Sequence, residues 1–399
     1  MKKIGMLLLL LFAIVIISCD EEEVPLYQLT VTVNYPDNYN SEGADGAMVA
    51  LSEEGSSNAD TVQADASGVA VFTGLRTGIY TVSSTKSMSA SETESETGIS
   101  EEVLLTAVEN NVSVLADDEV TITLAGAVLG DLVFKEVYYA GSSTPEDGSY
   151  FSDQYYEIYN NSTDVIYADN LCIGVVDGWS FSPAISPWLE EYPSKSAVQS
   201  FWYIPGAGEE YPINPGESII IAQDGINHKT DELGNPNSPV DMSNADWETF
   251  VARDDNRDID APGVPNLTLG YATYMGFDWL TSVFGGAYVI FRIDGDIDSY
   301  VEANKATKPG STSATEYVLI DNEMVIDGFQ AYGDDSETSM PKLHATIDAG
   351  FTFDPNGTYT GKCVRRKVKT VIDGRPVYQD TNNSTDDFLN DQECQPGVN

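Results

Sequence analysis

Positive charge is scarce in this chain. Nineteen Lys and Arg stand against 64 Asp and Glu, for a formal net charge of −45. Nucleic-acid affinity comes mainly from basic side chains that neutralise phosphates, so nucleic acid is excluded as a partner. A field this acidic repels anionic surfaces, attracts cations and favours solubility. Histidine is almost missing. With His228 and His344 alone, a three-histidine zinc site cannot be built. The chain has no CxxC, GxSxG or HExxH, and no glycine-rich phosphate loop ending in Lys-Ser/Thr. The common signatures of thiol redox, esterase, zinc protease and nucleotide chemistry are thereby absent. Beyond residue 18 no apolar run is long enough to span a membrane.

The first residues carry the clearest pattern. Lys2 and Lys3 precede an unbroken apolar run from Met6 to Ile17. That run is short of the roughly 20 residues needed to cross hydrocarbon, and it fits the core of a secretory signal. Ser18 supplies a small residue before a cut, and Cys19 is followed by Asp20-Glu21-Glu22-Glu23. Four charges cannot enter a bilayer cheaply, so they belong in water. Ile16-Ile17-Ser18-Cys19 resembles a bacterial lipobox. The resemblance implies a signal peptide over 1–18, a lipidated, palmitate-bearing Cys19, and an acidic tether over 19–26. The acidic run resembles the surface-export signal of Bacteroidetes lipoproteins, which implies an outer-membrane protein facing outward. The competing reading of the same acids is a solvated spacer.

Three cysteines remain, an odd number. Cys363 and Cys394 flank the C-terminal region and are the expected disulfide in an exported protein. Cys172 lies in the apolar stretch NLCIGVV and reads as a buried free thiol.

The body of the chain reads as strands. In LTVTV, Leu29, Val31 and Val33 share one face and threonines the other, the alternation of a half-buried strand. Short apolar runs then recur about every ten residues between Gly, Asp and Ser, as in a β-sandwich. Gly68 and Gly78 suit turns with positive φ. Residues 87–118 are rich in Ser, Glu and Thr and suggest a long hairpin excursion. Val120, Ile122 and Leu124 alternate again at the end. The passage DASGVAVFTGLRTGIYTV, with Gly68, Phe72, Leu75, Gly78 and Tyr80 in matching places, resembles carboxypeptidase-regulatory-like domains. That resemblance implies a scaffold without catalytic residues.

A second unit begins near Gly130. GDLVFKEVYYAGS, FSDQYYEIYNNSTDVIYADNLCIG and YPINPGESIIIAQDG resemble a lamin-tail-like, immunoglobulin-type sandwich. Glu136, Gln154, Glu157, Asn160 and Asn161 occupy the corresponding places. Glu136 and Glu157 could be neighbours on adjacent strands, and the resemblance implies that they hold turns together. Residues 227–285 read as a long insertion with few strand signals. The expectation is an all-β chain of two consecutive β-sandwiches, over 27–129 and 130–399, the second with long loop insertions. The combination KEVYYAGS, DQYYEIYNNS, VIYADNL, INH and SNADWE resembles an uncharacterised family of Bacteroidetes lipoproteins. It implies an accessory near an outer-membrane transporter and assigns no activity.

Two features could carry chemistry. DDNRDID sets Asp254, Asn256, Asp258 and Asp260 at alternate positions, and RIDGDID does the same with Asp294, Asp296 and Asp298. Calcium takes six to eight oxygens, and alternate acids in a tight loop supply several. Neither run completes a twelve-residue calcium loop, and Arg257 interrupts the first. Solvated acidic loops are the competing reading. The second feature is aromatic: Trp179, Trp188, Trp202, Tyr203 and Trp247, with His228, on loops that could form a ligand or partner surface. The alternative is loops packed on their own tryptophans. Together these readings predict a non-enzymatic surface lipoprotein without an obligatory cofactor. Its expected partner is a β-barrel transporter of the TonB-dependent type; an independent surface adhesin or structural protein is the alternative, and a hydrolase the lesser one.

Overall fold

A computed structural model describes residues 25–36, 39–53, 59–97, 103–128, 131–178, 186–254, 258, 260–274, 276, 278–279, 281–333, 341–372 and 374–398. The leader, Cys19 and the acids behind it lie outside the described residues, as do Trp179 and Asn256. The fold is all-β and built of sandwiches.

The first body opens with Tyr27–Asn34, whose alternation buries Leu29, Val31 and Val33 completely. This strand sits in the middle of a three-stranded sheet. It runs antiparallel to Val69–Leu75 and parallel to Asp118–Thr123. A five-stranded sheet covers it, with Met48–Glu53, Gly78–Met88 and Val103–Val114 at its centre. One apolar core fills the space between, including Phe72, Leu75, Tyr80 and Val82. Gly68 adopts φ +77°, and a Cβ there would stand 2.3 Å from the carbonyl oxygen of Val33. Gly78 does not follow the expectation. It starts the long strand Gly78–Met88, and the nearby glycine with positive φ is Gly74, at an irregularity in the pairing of Val69–Leu75 with Tyr27–Asn34. The acidic stretch expected as a hairpin excursion contains a short helix, Ala90–Thr97, before the strand Val103–Val114.

The second body stacks a six-stranded sheet on an eight-stranded one. Phe134, Tyr156, Ile158, Ile219 and Ile221 meet Ile173, Trp202, Tyr288, Ile290 and Phe329 between them. Leu132–Tyr138 and Tyr155–Asn160 are buried at every residue, not at alternate ones. Their outer face is covered too. Val240, Met242, Ala245, Ala261 and Val264 from the 227–285 segment pack there on Tyr138, Tyr155 and Ala222. Strands buried on both faces read as continuous apolar runs. Part of the insertion thus covers one sheet; among its described residues it also adds the short strand Trp247–Glu248 to that sheet, pairs Thr268–Ala272 with Lys195–Tyr203 of the other, and sends Trp279 into the core between them.

Glu136 and Glu157 pair across adjacent strands. Lys135 contacts Glu157 at 2.8 Å, both wholly buried, while Arg365 pairs with Glu136. Cys363 and Cys394 form a disulfide with a Cα–Cα distance of 5.3 Å. Cys172 is buried and free, and burial pushes its thiol pKa far up. The two bodies touch where Thr106 Oγ1 donates to the carbonyl of Ala345 at 3.1 Å.

Candidate functional site: a buried acidic triad under the insertion

Three aspartates from three segments converge where the insertion closes on the six-stranded sheet. Asp224 follows the strand Ser218–Ala222, Asp258 lies in the loop after Trp247–Glu248, and Asp278 precedes Trp279. Each presents one carboxylate oxygen, and the three oxygens lie within 4.8 Å of one another. All three residues are buried.

Each acid is held by the fold. Asp278 Oδ2 accepts from Ser152 Oγ at 2.9 Å, and the neighbouring Trp279 donates its indole N–H to Ser200 Oγ at 3.0 Å. Asp258 Oδ2 accepts the backbone N–H of Val251 at 2.7 Å. Glu248 braces the rim, its two oxygens accepting the N–H groups of Gly225 and Ala261 at 2.6 and 2.8 Å. Residue 225 must be small. A Cβ there would stand 2.7 Å from Val264 and 2.9 Å from Glu248 Oε2.

The electrostatics are one-sided. Burial raises the Asp224 pKa well above the carboxylate range, and the charges of Asp278, Asp258 and Glu248 raise it further. Asp278 is pushed up to about 7, first by burial and then by Asp258. Glu248 also reaches about 7, mainly through burial. Like charges gathered in a poorly solvated place resist joint ionisation.

His228 stands beside this cluster, wholly buried. Its Nε2 lies 3.1 Å from the carbonyl oxygen of Asp224, and its Nδ1 lies 2.8 Å from the hydroxyl of Tyr150. Burial lowers its pKa to about 4, so the ring is neutral. These partners assign the tautomer: Nε2 donates to the carbonyl and Nδ1 accepts from Tyr150. Both ring nitrogens are engaged. The histidine fixes the backbone at Asp224 and leaves the cluster's chemistry to oxygen atoms.

The structure sorts the residues singled out in the sequence. Asp258 enters the triad, but its companions are Asp224 and Asp278, not its neighbours in DDNRDID. Asp254 is exposed, and Asp260 accepts from Asn266 Nδ2 at 3.0 Å. In RIDGDID, Asp296 caps the helix Ile297–Ala303 by accepting from Ser299 N at 2.9 Å, while Asp294 and Asp298 face solvent. Among the described residues, the acids of neither run gather with one another. The aromatic surface also needs correcting. Trp188, Trp202 and Trp247 are buried and Tyr203 is half-buried. Trp188 packs on Tyr192 and Tyr317 and donates to Asp177 Oδ2 at 2.7 Å. Trp202 lies in the central core, and Trp247 meets Tyr211 edge-on. Burying a large aromatic body is worth more than displaying it.

A second concavity lies between the two bodies. It holds about 590 Å³ and is lined by Thr106, Asn110, Gln330, His344, Asp348 and Phe351 among others. Burial and hydrogen bonding within the protein occupy its strongest polar groups. Asp348 accepts from the backbone and hydroxyl of Ser384, and His344 Nε2 lies 3.1 Å from the carbonyl of Lys195.

The double-sandwich all-β chain with a buried triad has recognisable kin. The family model described as "Protein of unknown function (DUF4876)" matches residues 214–395, a span containing all three aspartates. The crystal structure of a DUF4876 family protein from Bacteroides thetaiotaomicron VPI-5482 is similar at a TM-score of 0.60 and 28% identity. The likeness covers 92% of this chain and 96% of that one. A putative cell adhesion protein from Bacteroides eggerthii DSM 20697 overlaps 52% of this chain and 82% of its own. Its TM-score of 0.17 and 10% identity carry no argument. No curated protein matches significantly. These findings support the family resemblance in its coarse form: an uncharacterised family with a Bacteroides structural neighbour.

Proposed function

We propose that the chain is a lipid-anchored, surface-exposed accessory of the outer membrane that binds rather than catalyses. In this reading it works beside a β-barrel transporter of the TonB-dependent type in nutrient capture. The observation that carries the reading is the leader, in which an apolar run ends at Ser18-Cys19 and passes at once into four acids. Lipid at Cys19 and charge directly behind it would hold the folded bodies just outside a membrane.

Two features of the fold support a binding role. His228, the natural candidate for a general base, has both ring nitrogens engaged and stays neutral. The two-stranded ribbon Val368–Ile372 and Arg375–Tyr378 displays Val368, Val371 and Ile372 to solvent. Exposed apolar side chains gathered on one element mark contact surfaces.

The test is an affinity pull-down of the tagged, lipidated chain from native outer membranes in mild detergent, read by mass spectrometry. A stoichiometric β-barrel transporter is expected, weakened by Val371→Lys. The absence of any stoichiometric partner, with the chain still open to protease on intact cells, would overturn the transporter role. It would leave an independent adhesin.

A further inference from the structure

We infer that Asp224, Asp258 and Asp278 together hold one hard divalent cation of the calcium class.

The geometry is the first argument. Two oxygens on opposite sides of a calcium ion, each at about 2.3–2.6 Å, are separated by up to about 5 Å. The three carboxylate oxygens fall within 4.8 Å of one another. A magnesium ion draws its ligands to about 2.0–2.1 Å and keeps several waters. A buried, all-protein oxygen cage suits the larger ion.

Unused donors are the second argument, independent of the clustering. Asp224 Oδ1 and Asp278 Oδ1 are buried and make no hydrogen bond, and neither does Gln223 Oε1. Gln223 is 2% exposed. Its Nε2 donates to the carbonyl of Trp279 at 2.7 Å, and the same amide N–H side faces Asp278. Buried acceptors left without donors cost free energy, and a cation is the partner that satisfies several at once.

Chemical selection is the third argument. The charged groups acting on Asp224 are Asp278, Asp258 and Glu248, all negative. The adjacent imidazole has no nitrogen to give. An all-oxygen set favours calcium, magnesium or manganese over zinc or copper.

The site has a structural consequence. Asp224 follows a strand of the six-stranded sheet, whereas Asp258 and Asp278 belong to the insertion over 227–285. A cation between them would bolt the insertion to the sheet. The inference stands apart from the transporter role, because a failed pull-down leaves the cation site untouched.

The test uses the full chain, stripped with chelator and titrated with calcium chloride in a calorimeter. One saturable site per chain and a rise in Tm are expected, with magnesium weaker. Asp278→Asn and Asp224→Asn should each weaken calcium at least about tenfold. Asp298→Asn, on the exposed run, should leave binding unchanged. Native mass spectrometry of the unmodified chain in calcium needs no variant and should show one bound ion. No binding to the unmodified chain, or binding that survives both triad variants, would overturn the inference.

Discussion

Among its described residues the first body buries three polar side chains, Ser84, Thr93 and Thr106, none of them charged. The second buries Lys135, Glu136, Glu157, Asp327, Arg366 and Asp387, and the acidic triad besides. Between its sheets the first packs apolar side chains without buried charge, a force roughly proportional to area and indifferent to direction. In the second, charged groups must find one another at fixed angles or the core does not close. Arg366 shows how far this goes. Its guanidinium lies 2.6 Å from Asp327 Oδ2, 3.3 Å from Asp380 Oδ1 and 3.4 Å from Asp387 Oδ2. Its Nε donates to the carbonyl of Phe134 at 2.8 Å, and the ring of Phe388 lies 4.7 Å away. Burial pulls its pKa down, but the three carboxylates outweigh that and hold its proton more firmly than usual.

The contrast can be broken most sharply at Arg366. Arg366→Met would strand three buried carboxylates and should cost the second body about 3–5 kcal/mol. Denaturant unfolding should show that body melting early while the first keeps its midpoint. A loss below about 1 kcal/mol would mean that water reaches the network. The matching test in the first body is Leu29→Ala, a cavity in an apolar core, at about 3 kcal/mol. It should lower the first transition and leave the second alone. A coupled shift of both would show that the contact at Thr106 joins them into one cooperative unit.

Acidity separates the bodies next. Complete burial raises Asp348 to about 7, outweighing its hydrogen bonds from Ser384 and Gly350. The folded state therefore holds this proton more tightly than the unfolded chain, whose value is about 3.9. Its stabilising contribution is full below about pH 4 and is lost as pH rises through about 7. Following Tm of the second transition across that window should show a fall, flattened in Asp348→Asn. An equal slope in the variant would assign the fall to other groups. A smaller effect is expected from Asp296→Ala. It removes the cap from Ile297–Ala303 and should lower the second transition slightly without altering calcium binding.

Much of the fold was legible because it is local. The alternation of Leu29, Val31 and Val33 reports one buried face directly, and the glycine at 68 marks its turn. The helix Ala90–Thr97 was not legible. Its residues have no apolar stripe, and the serine-rich sequence also suits a loop. The tryptophans misled because exposure is a property of the neighbours that cover them, and Tyr317 covers Trp188 from far along the chain. The triad was half visible. Asp258 stood out in its acidic run, but its companions are joined to it only when the insertion folds over the sheet. No spacing rule connects positions 224, 258 and 278.

One detail of the first sheet bears on how the molecule would carry force. Tyr27–Asn34, the first strand after the proposed anchor, lies parallel to Asp118–Thr123, which leads through Ala125–Val128, paired with Val103–Val114, to the second body. Six residue pairs join them, from Leu29↔Asp118 to Asn34↔Thr123. Tension between a tethered start and a gripped second body pulls these strands lengthwise in opposite directions. Their hydrogen bonds then bear the load together, whereas an antiparallel hairpin pulled at its open end peels one bond at a time. Single-molecule stretching from residue 27 to residue 132 should meet one high rupture force, and a sequence of small steps would contradict this. The strand that begins the first body is in this sense a mechanical clamp, placed where a swaying outer domain would tug.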